Sequence, residues 1–396
     1  MRRMLPLVCL LPALAALPAL AGSNDALHPF FAVSYSHEDN LLRVTDGQPA
    51  FDNTLGDSSR STLVGFNFDK TYGRQRLYAE AKLTKVAFGH FTQLDYDGKD
   101  FLGRWTWQLG NDWSGNLSSS YDQILAPYTD LRSSERNLRI QKRNAGDVTW
   151  RLGGHWRLRG AAVSDKYEYD LLSQRYNNRT EKLNELGLDY YSGTGSSIGL
   201  VTRKITGTYL NKRPYNGLLI DDGFTQDEVK ANINWVASGL TSVSFLGGWA
   251  SRSHVFFGDR DSKGANGRLT VRYLPRATVQ LTTAFWREYT ALESAYVSYS
   301  LNNGANVAAN WYASEKVQFT SSYNRERRSY TPSVAVTGPS DFSDILATGS
   351  LGLTYLPIRT LQLAMSTYHQ TRSGIAALGT GGYKANGVTV SATAQF

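Results

Sequence analysis

The chain has 396 residues, with 42 Lys and Arg against 34 Asp and Glu, for a formal net charge of +8. Its single cysteine is Cys9, so disulfides and Cys-ligated metals are excluded from everything that follows it. Setting Arg2 and Arg3 aside lowers the charge to +6, a mild excess that on an exported chain does not argue for nucleic acid.

The segment "MRRM" is short and basic, and Leu5 to Leu20 form an apolar run broken by Pro6, Pro12 and Pro18. Ala19-Leu20-Ala21 is an A-x-A cleavage signature, so residues 1–21 read as a Sec signal peptide and 22–396 as one domain. No later stretch is long and apolar enough for a transmembrane helix. A membrane protein built from this chain must therefore be a closed β-barrel, the other architecture that pairs every backbone N–H and C=O in lipid.

Strands begin near Phe30 to Ser36, leaving no room for a separate plug domain. A weak hairpin turns near Lys70 to Gly73. Phe101, Trp105 and Trp107 then precede a turn at "LGNDWSG", and Val148 and Trp150 precede one at "LGGHW". Another weak hairpin turns near Ser192 to Ser196, and from Ile198 to Ile205 apolar residues fall on both parities, so the faces there are undetermined. "VKANINW" turns at "VASG" and resumes with Val243, Phe245 and Trp249. In "RLTVRYLPRATVQLTTAF" the odd positions from Leu269 to Phe285 are apolar, the even ones from Arg268 to Thr282 polar, and the turn is at Pro275. Hairpins at "YASE" and "LPIR" repeat the pattern.

Eight such turns plus a first and a last strand predict an all-β fold: a transmembrane antiparallel up-and-down barrel of about 18 strands, with 16 the even alternative. An aromatic residue recurs just before the short turns (Trp107, Tyr190, Trp235, Tyr273, Trp311, Tyr355), as an interfacial girdle would require. The opposite connections, such as "SHEDNLLRVTDGQPAFDNTLGDSS", are long and polar, as extracellular loops are. Val388, Val390 and the terminal Phe396 share one face of the last strand, which looks like the signal read by the outer-membrane barrel assembly machinery. The expected location is the outer membrane of a Gram-negative bacterium, with outer-membrane lipid as a partner.

Extending the alternation turns Arg76, Lys82, Arg104, Arg151, Arg157, Arg159, Lys230, Arg268 and Arg272 into the lumen, among Glu80, Asp147, Glu185, Asp189 and Glu228. A wall of this kind suits polar and, weakly, anionic passengers. The six histidines are scattered, with no pair at metal-ligand spacing and no G-x-S-x-G beside them, so no catalytic residue, metal or cofactor is expected. "DYDGKD" (95–100) is oxygen-rich but lacks the rest of an EF-hand and reads as a turn beside a strand.

Three stretches go beyond barrel physics: "LHPFFAVSYSHEDNLLR", "FTQLDYDGKDFLGRWTWQLGNDWSGNLSSSY" and "QRYNNRTEKLNELGLDYYSGTGSSIGL". They resemble the EpsL family of exopolysaccharide-biosynthesis outer-membrane proteins, found with the exosortase B type of polysaccharide locus. Glu38 stands where that pattern expects Asp. The resemblance implies an outer-membrane barrel that takes part in making or exporting an extracellular polysaccharide, and it brings no catalytic residues with it; the residues themselves read as no enzyme. A glycan chain and periplasmic polysaccharide export proteins are then its partners. On that reading a polymer moves passively past lumen side chains, and inward aromatics such as Tyr78 and Trp286 stack on sugar faces. The alternatives are a diffusion porin for small sugars or anions, and a scaffold that docks a periplasmic glycan-processing enzyme or export lipoprotein.

Overall fold

In the computed structural model, residues 26–129, 133–215, 217–256, 258–291, 299–330, 342–375 and 381–396 are described; segment 1–21, which the sequence reads as a signal peptide, lies outside them. The alternating segments form the strands β1 (Leu27–Glu38), β2 (Asp57–Tyr72), β3 (Gln75–Phe88), β4 (Tyr96–Leu109), β5 (Trp113–Leu125) and β6 (Leu138–Leu152). They continue as β7 (Trp156–Tyr169), β8 (Arg179–Tyr191) and β9 (Ser197–Tyr209), then β12 (Phe224–Val236), β13 (Thr241–His254) and β14 (Ser262–Arg276). The last six are β15 (Val279–Ala291), β16 (Tyr299–Tyr312), β17 (Val317–Tyr330), β18 (Ser343–Ile358), β19 (Leu361–Arg372) and β20 (Tyr383–Gln395). A small hairpin, β10 (Arg213–Tyr215) with β11 (Leu218–Ile220), sits inside the connection from β9 to β12.

Each large strand pairs antiparallel with its chain neighbours, and β1 pairs with both β2 and β20, so the 18-stranded sheet closes on itself. Closure removes the unpaired edges that lipid could not satisfy. With strands about 4.8 Å apart and tilted by about 40°, eighteen of them enclose a backbone cylinder of about 18 Å radius. The first and last strands meet at the short-turn side, where the Phe396 N–H donates to the Pro29 carbonyl.

The two faces of the sheet follow the alternation. Phe31, Val33 and Tyr35 on β1, Val64 and Phe66 on β2, and Leu351, Leu353 and Tyr355 on β18 are exposed on the outer wall. At the short-turn end Trp113 and Trp150 stack with ring centroids 5.1 Å apart, and Trp311 packs on Phe319 at 5.2 Å. This is the aromatic girdle the sequence predicts. An apolar outer belt edged by aromatics on a closed barrel makes this an outer-membrane β-barrel.

β9 resolves the register that its sequence leaves open. Leu200 is 62% exposed and Val201 is 0% exposed, so even positions face lipid and odd ones face the lumen. Pro275 lies within β14 and not at its tip, beside a register shift between Tyr273 and Arg276; Pro357 in β18 sits in the same kind of irregularity. A residue with no N–H is tolerated where the ladder is already interrupted. Glycines let large rings lie flat against neighbouring strands: Phe30 covers Gly65, and Trp286 covers Gly304, each its direct cross-strand partner. An aromatic ring fills the space a glycine leaves and shields its backbone.

At the long-loop end the connections fold inward. Leu42 and Val44 from the β1–β2 loop, Phe91 and Leu94 from the β3–β4 loop, and Tyr128 after β5 form a small buried apolar core. Asp95, the first residue of "DYDGKD", accepts the Phe88 N–H at 2.7 Å, and the rest of that motif runs into β4.

Candidate pore lining

Residues directly opposite each other on neighbouring strands share a face, so the register alone aligns charged side chains into rows. Glu185 on β8 stands opposite Arg203 on β9, which stands opposite Glu228 on β12. The signs alternate around this row. Arg203 donates to Glu185 and lies 3.8 Å from Glu228, and Lys230 contacts Glu228 at 2.8 Å. Arg159 on β7 reaches Glu185 at 2.9 Å and Asp189 at 3.6 Å, and Asn232 donates to Asp189 at 2.8 Å. Lys230 also donates to Asn266 on β14. The strip therefore crosses six strands of the inner wall, with cations and acceptors held to one another.

Beyond β14 the pattern continues with aromatic backing. Arg268 pairs with Glu288 at 2.7 Å while its guanidinium lies 4.6 Å from the Trp286 ring. The Trp286 indole N–H donates to Glu326 at 2.8 Å, and Asn302 donates to the same carboxylate at 3.0 Å. Nearer the long loops, Asp344 on β18 is gripped from both sides by Arg328 at 2.9 Å and Arg372 at 2.6 Å.

The nine lumen residues named from sequence all stand on the inner face, in three settings. Arg159, Lys230 and Arg268 belong to the strip just described. Lys82 contacts Glu80 and lies 3.9 Å from Asp100, and Arg76 pairs with Asp69. Arg104 stands opposite Tyr78, whose hydroxyl donates to Glu80 at 3.1 Å, so Tyr78 faces inward as Trp286 does. Towards the short-turn mouth, Arg151 stands opposite Arg157, Arg157 packs 3.6 Å from the Tyr191 ring, and Arg272 donates to Gln280 at 2.8 Å.

Sequence reasoning missed Arg203, because its strand has apolar residues on both parities. It also missed Arg328, Asp344 and Arg372, which lie at strand ends where apolar alternation has already stopped. Arg43 was missed because it sits in a loop. Its guanidinium folds into the barrel, donating to Glu38 at 2.7 Å, to Gln370 at 3.2 Å and to the Tyr368 hydroxyl at 3.0 Å. Burial works to lower the Arg43 pKa, but Glu38 and the phenols of Tyr368 and Tyr383 outweigh it and hold it above its ordinary value.

The loops narrow the long-loop mouth. Arg372, inward on β19, donates to the Thr129 carbonyl in the connection after β5. Those strands lie a third of the way round the barrel from each other, so the connection crosses part of the opening. On the far side, Asp222 holds Arg213 at 2.8 Å and Arg260 at 3.1 Å, which ties the β9–β12 and β13–β14 connections together. Among the described residues no group of His, Cys, Asp and Glu could hold a metal ion.

No family model matches the chain, and no curated protein does. Solved structures similar to it include Pseudomonas aeruginosa OccK1 (OpdK), with a TM-score of 0.49 and 10% identity over 94% of this chain and 99% of that one. A BenF-like porin from Pseudomonas fluorescens Pf-5 gives 0.48 and 10%, covering 94% and 99% of the two chains. Acinetobacter baumannii OccAB3 gives 0.47 and 9%, covering 93% and 99%. Likeness at this level says nothing of what this chain carries.

Proposed function

We propose that this outer-membrane barrel is a passive conduit for a hydroxyl-rich glycan polymer, and that it takes part in exopolysaccharide biosynthesis and export as its EpsL-like stretches imply. The observation that supports this reading is the pairing along the inner wall. Arg159, Arg203, Lys230 and Arg268 are each matched to Glu185, Asp189, Glu228 or Glu288. A wall of matched charges is dense in hydrogen-bonding groups but weak in net field, so it wets a polar chain without trapping it. That counts against strong anion selection. It favours an uncharged or weakly charged chain whose hydroxyls exchange hydrogen bonds as it advances. Tyr78 supplies a ring face on which sugar rings stack in passing, whereas the Trp286 ring is already covered by Gly304 and by the Arg268 guanidinium.

In this reading the protein does no covalent chemistry. Its partners are the polymer, the barrel assembly machinery that reads the strand ending in Val388, Val390 and Phe396, and periplasmic polysaccharide export proteins at the short-turn end. The deciding experiment is a clean deletion of the gene with polysaccharide quantified separately in medium and periplasm. Loss from the medium with accumulation in the periplasm is the expected result. Unchanged secretion overturns the proposal and leaves a diffusion porin for small sugars or anions, to be tested by solute uptake.

A further inference from the structure

The outer wall carries a second charge pattern that the lumen reading does not use. Along β15 the outward residues run Val279, Leu281, Thr283, Phe285 and then Arg287; along β17 they run Val317, Phe319, Ser321, Tyr323 and then Arg325 and Arg327. The apolar face thus ends abruptly in arginines at the long-loop end. Eight residues of tilted strand separate Val279 from Arg287, a rise of about 20 Å, which sets the arginines at the upper edge of the apolar belt.

The register gathers these cations into one patch. Arg287 stands opposite Asn303, and Asn303 opposite Arg327; one row below, Phe285, Ala305 and Arg325 are aligned in the same way. Arg287 donates to Asn303 at 2.9 Å and to the Ala265 carbonyl at 3.1 Å, and Arg327 donates to Ser343 at 3.2 Å. Lys263, outward on β14, extends the patch. Every acid on β15 to β18 in this half of the barrel, namely Glu288, Glu326 and Asp344, points inward and is engaged there. On the opposite wall the setting differs: Lys142 and Lys166 share Glu168 at 3.1 and 2.8 Å. At the short-turn end the same strands finish in the aromatics Tyr273, Trp311, Phe319 and Tyr355.

We propose that the face formed by Lys263, Arg287, Arg325 and Arg327 binds the phosphate groups of a phosphorylated glycolipid, the lipid A portion of lipopolysaccharide in the outer leaflet. Charge complementarity selects this occupant. The cations lie at headgroup depth, on one edge of the belt, and face lipid, where the phosphates of an anionic leaflet lie. Guanidinium groups make paired, charge-assisted hydrogen bonds to phosphate oxygens. The acyl chains then lie along the apolar rows below, over Phe285, Val307 and Tyr323, which are all exposed.

The test is native mass spectrometry of the purified full-length barrel in detergent, titrated with diphosphoryl lipid A, monophosphoryl lipid A or phosphatidylglycerol. Wild-type protein should bind the diphosphoryl form most tightly. R287Q/R325Q/R327Q should lose at least tenfold in affinity for it, while K142Q/K166Q, on the Glu168 wall, should stay within twofold of wild type. Where the triple variant does not fold, A305E, which sets a carboxylate among arginines that remain, should show the same loss. Unchanged binding in these variants overturns the proposal. So does equal binding of phosphatidylglycerol, which would mean attraction to any anionic lipid.

Discussion

Replacing Asp344 with Asn tests whether the inner-wall charge pairs are held out of water. The Asp344 carboxylate is fully buried and accepts two hydrogen bonds from Arg328, each 2.9 Å, and one from Arg372 at 2.6 Å. The arginine side chains are only 4% and 1% exposed. D344N keeps the shape of the side chain and removes the charge that both guanidiniums face. Each guanidinium then loses an attraction of about 4 kcal/mol, for charge centres about 4 Å apart at an effective dielectric of about 20, while the several kcal/mol spent on desolvating the carboxylate are recovered. That agrees with the loss of about 3–5 kcal/mol expected when one partner of a buried ion pair is removed. Urea unfolding of the barrel in lipid vesicles, followed by tryptophan fluorescence, would read the difference. R328M/D344L/R372M, which deletes all three charges, should recover most of the lost stability, since apolar groups of similar volume often replace buried ion pairs without cost. A D344N loss below about 1 kcal/mol would refute the reasoning, because exposed pairs are worth about that much and no more.

The strip across β7 to β14 predicts an electrical result. E185Q/D189N/E228Q leaves Arg159, Arg203 and Lys230 without their acids. Three cations about 10 Å from the pore axis, screened at about 0.1 M salt, add about 0.5 kcal/mol for a passing anion, so planar-bilayer recordings should show an anion-to-cation permeability ratio about fivefold above wild type. Gly304→Val should displace Trp286 from its place over that backbone and cost about 1–3 kcal/mol by overpacking, with the indole emission shifting as its bond to Glu326 is lost. Removing Phe396, which lies one residue beyond β20, should leave that strand's pairing intact but slow assembly; pulse-labelled cells should show less of the heat-modifiable folded form at early times, and wild-type kinetics would count against a role as assembly signal.

The barrel was readable because a lipid-facing wall tolerates few exceptions. Period-two runs, the aromatics before short turns and the even number of strands follow from that constraint, and the nine inward cations follow from the parity of their strands. The reading stopped where the constraint stops. In β9 a lumen-facing valine, Val201, removed the contrast between faces, so Arg203, the residue that links Glu185 to Glu228, was invisible. At the upper strand ends both walls are polar, so Arg328 and Arg372 could not be told apart in direction from Arg325 and Arg327. Arg43 depends on a loop folding back into the barrel, which no local pattern encodes.

The contrast between the two walls follows from what each one touches. Side chains on the inner wall crowd together, and a buried charge there must find a partner within reach or shift towards neutrality. Adjacent strands supply that partner, which is why Glu288 meets Arg268 and Asp344 meets Arg328. On the outer wall, an unmatched arginine in the apolar belt would be costly, and the outward residues of β15 from Val279 to Phe285 include none. Above the belt, cations can rely on the headgroups of the surrounding leaflet for their counter-charge, as Arg325 and Arg327 are placed to do. One strand, β17, shows the division within two consecutive residues: Arg327 turns outward to the leaflet, and Arg328 turns inward to Asp344. Exchanging the two environments by a one-residue register slip would bury the first charge unpaired and strip the second of its acid. The charge pattern therefore helps fix the register of the strand as well as its surroundings.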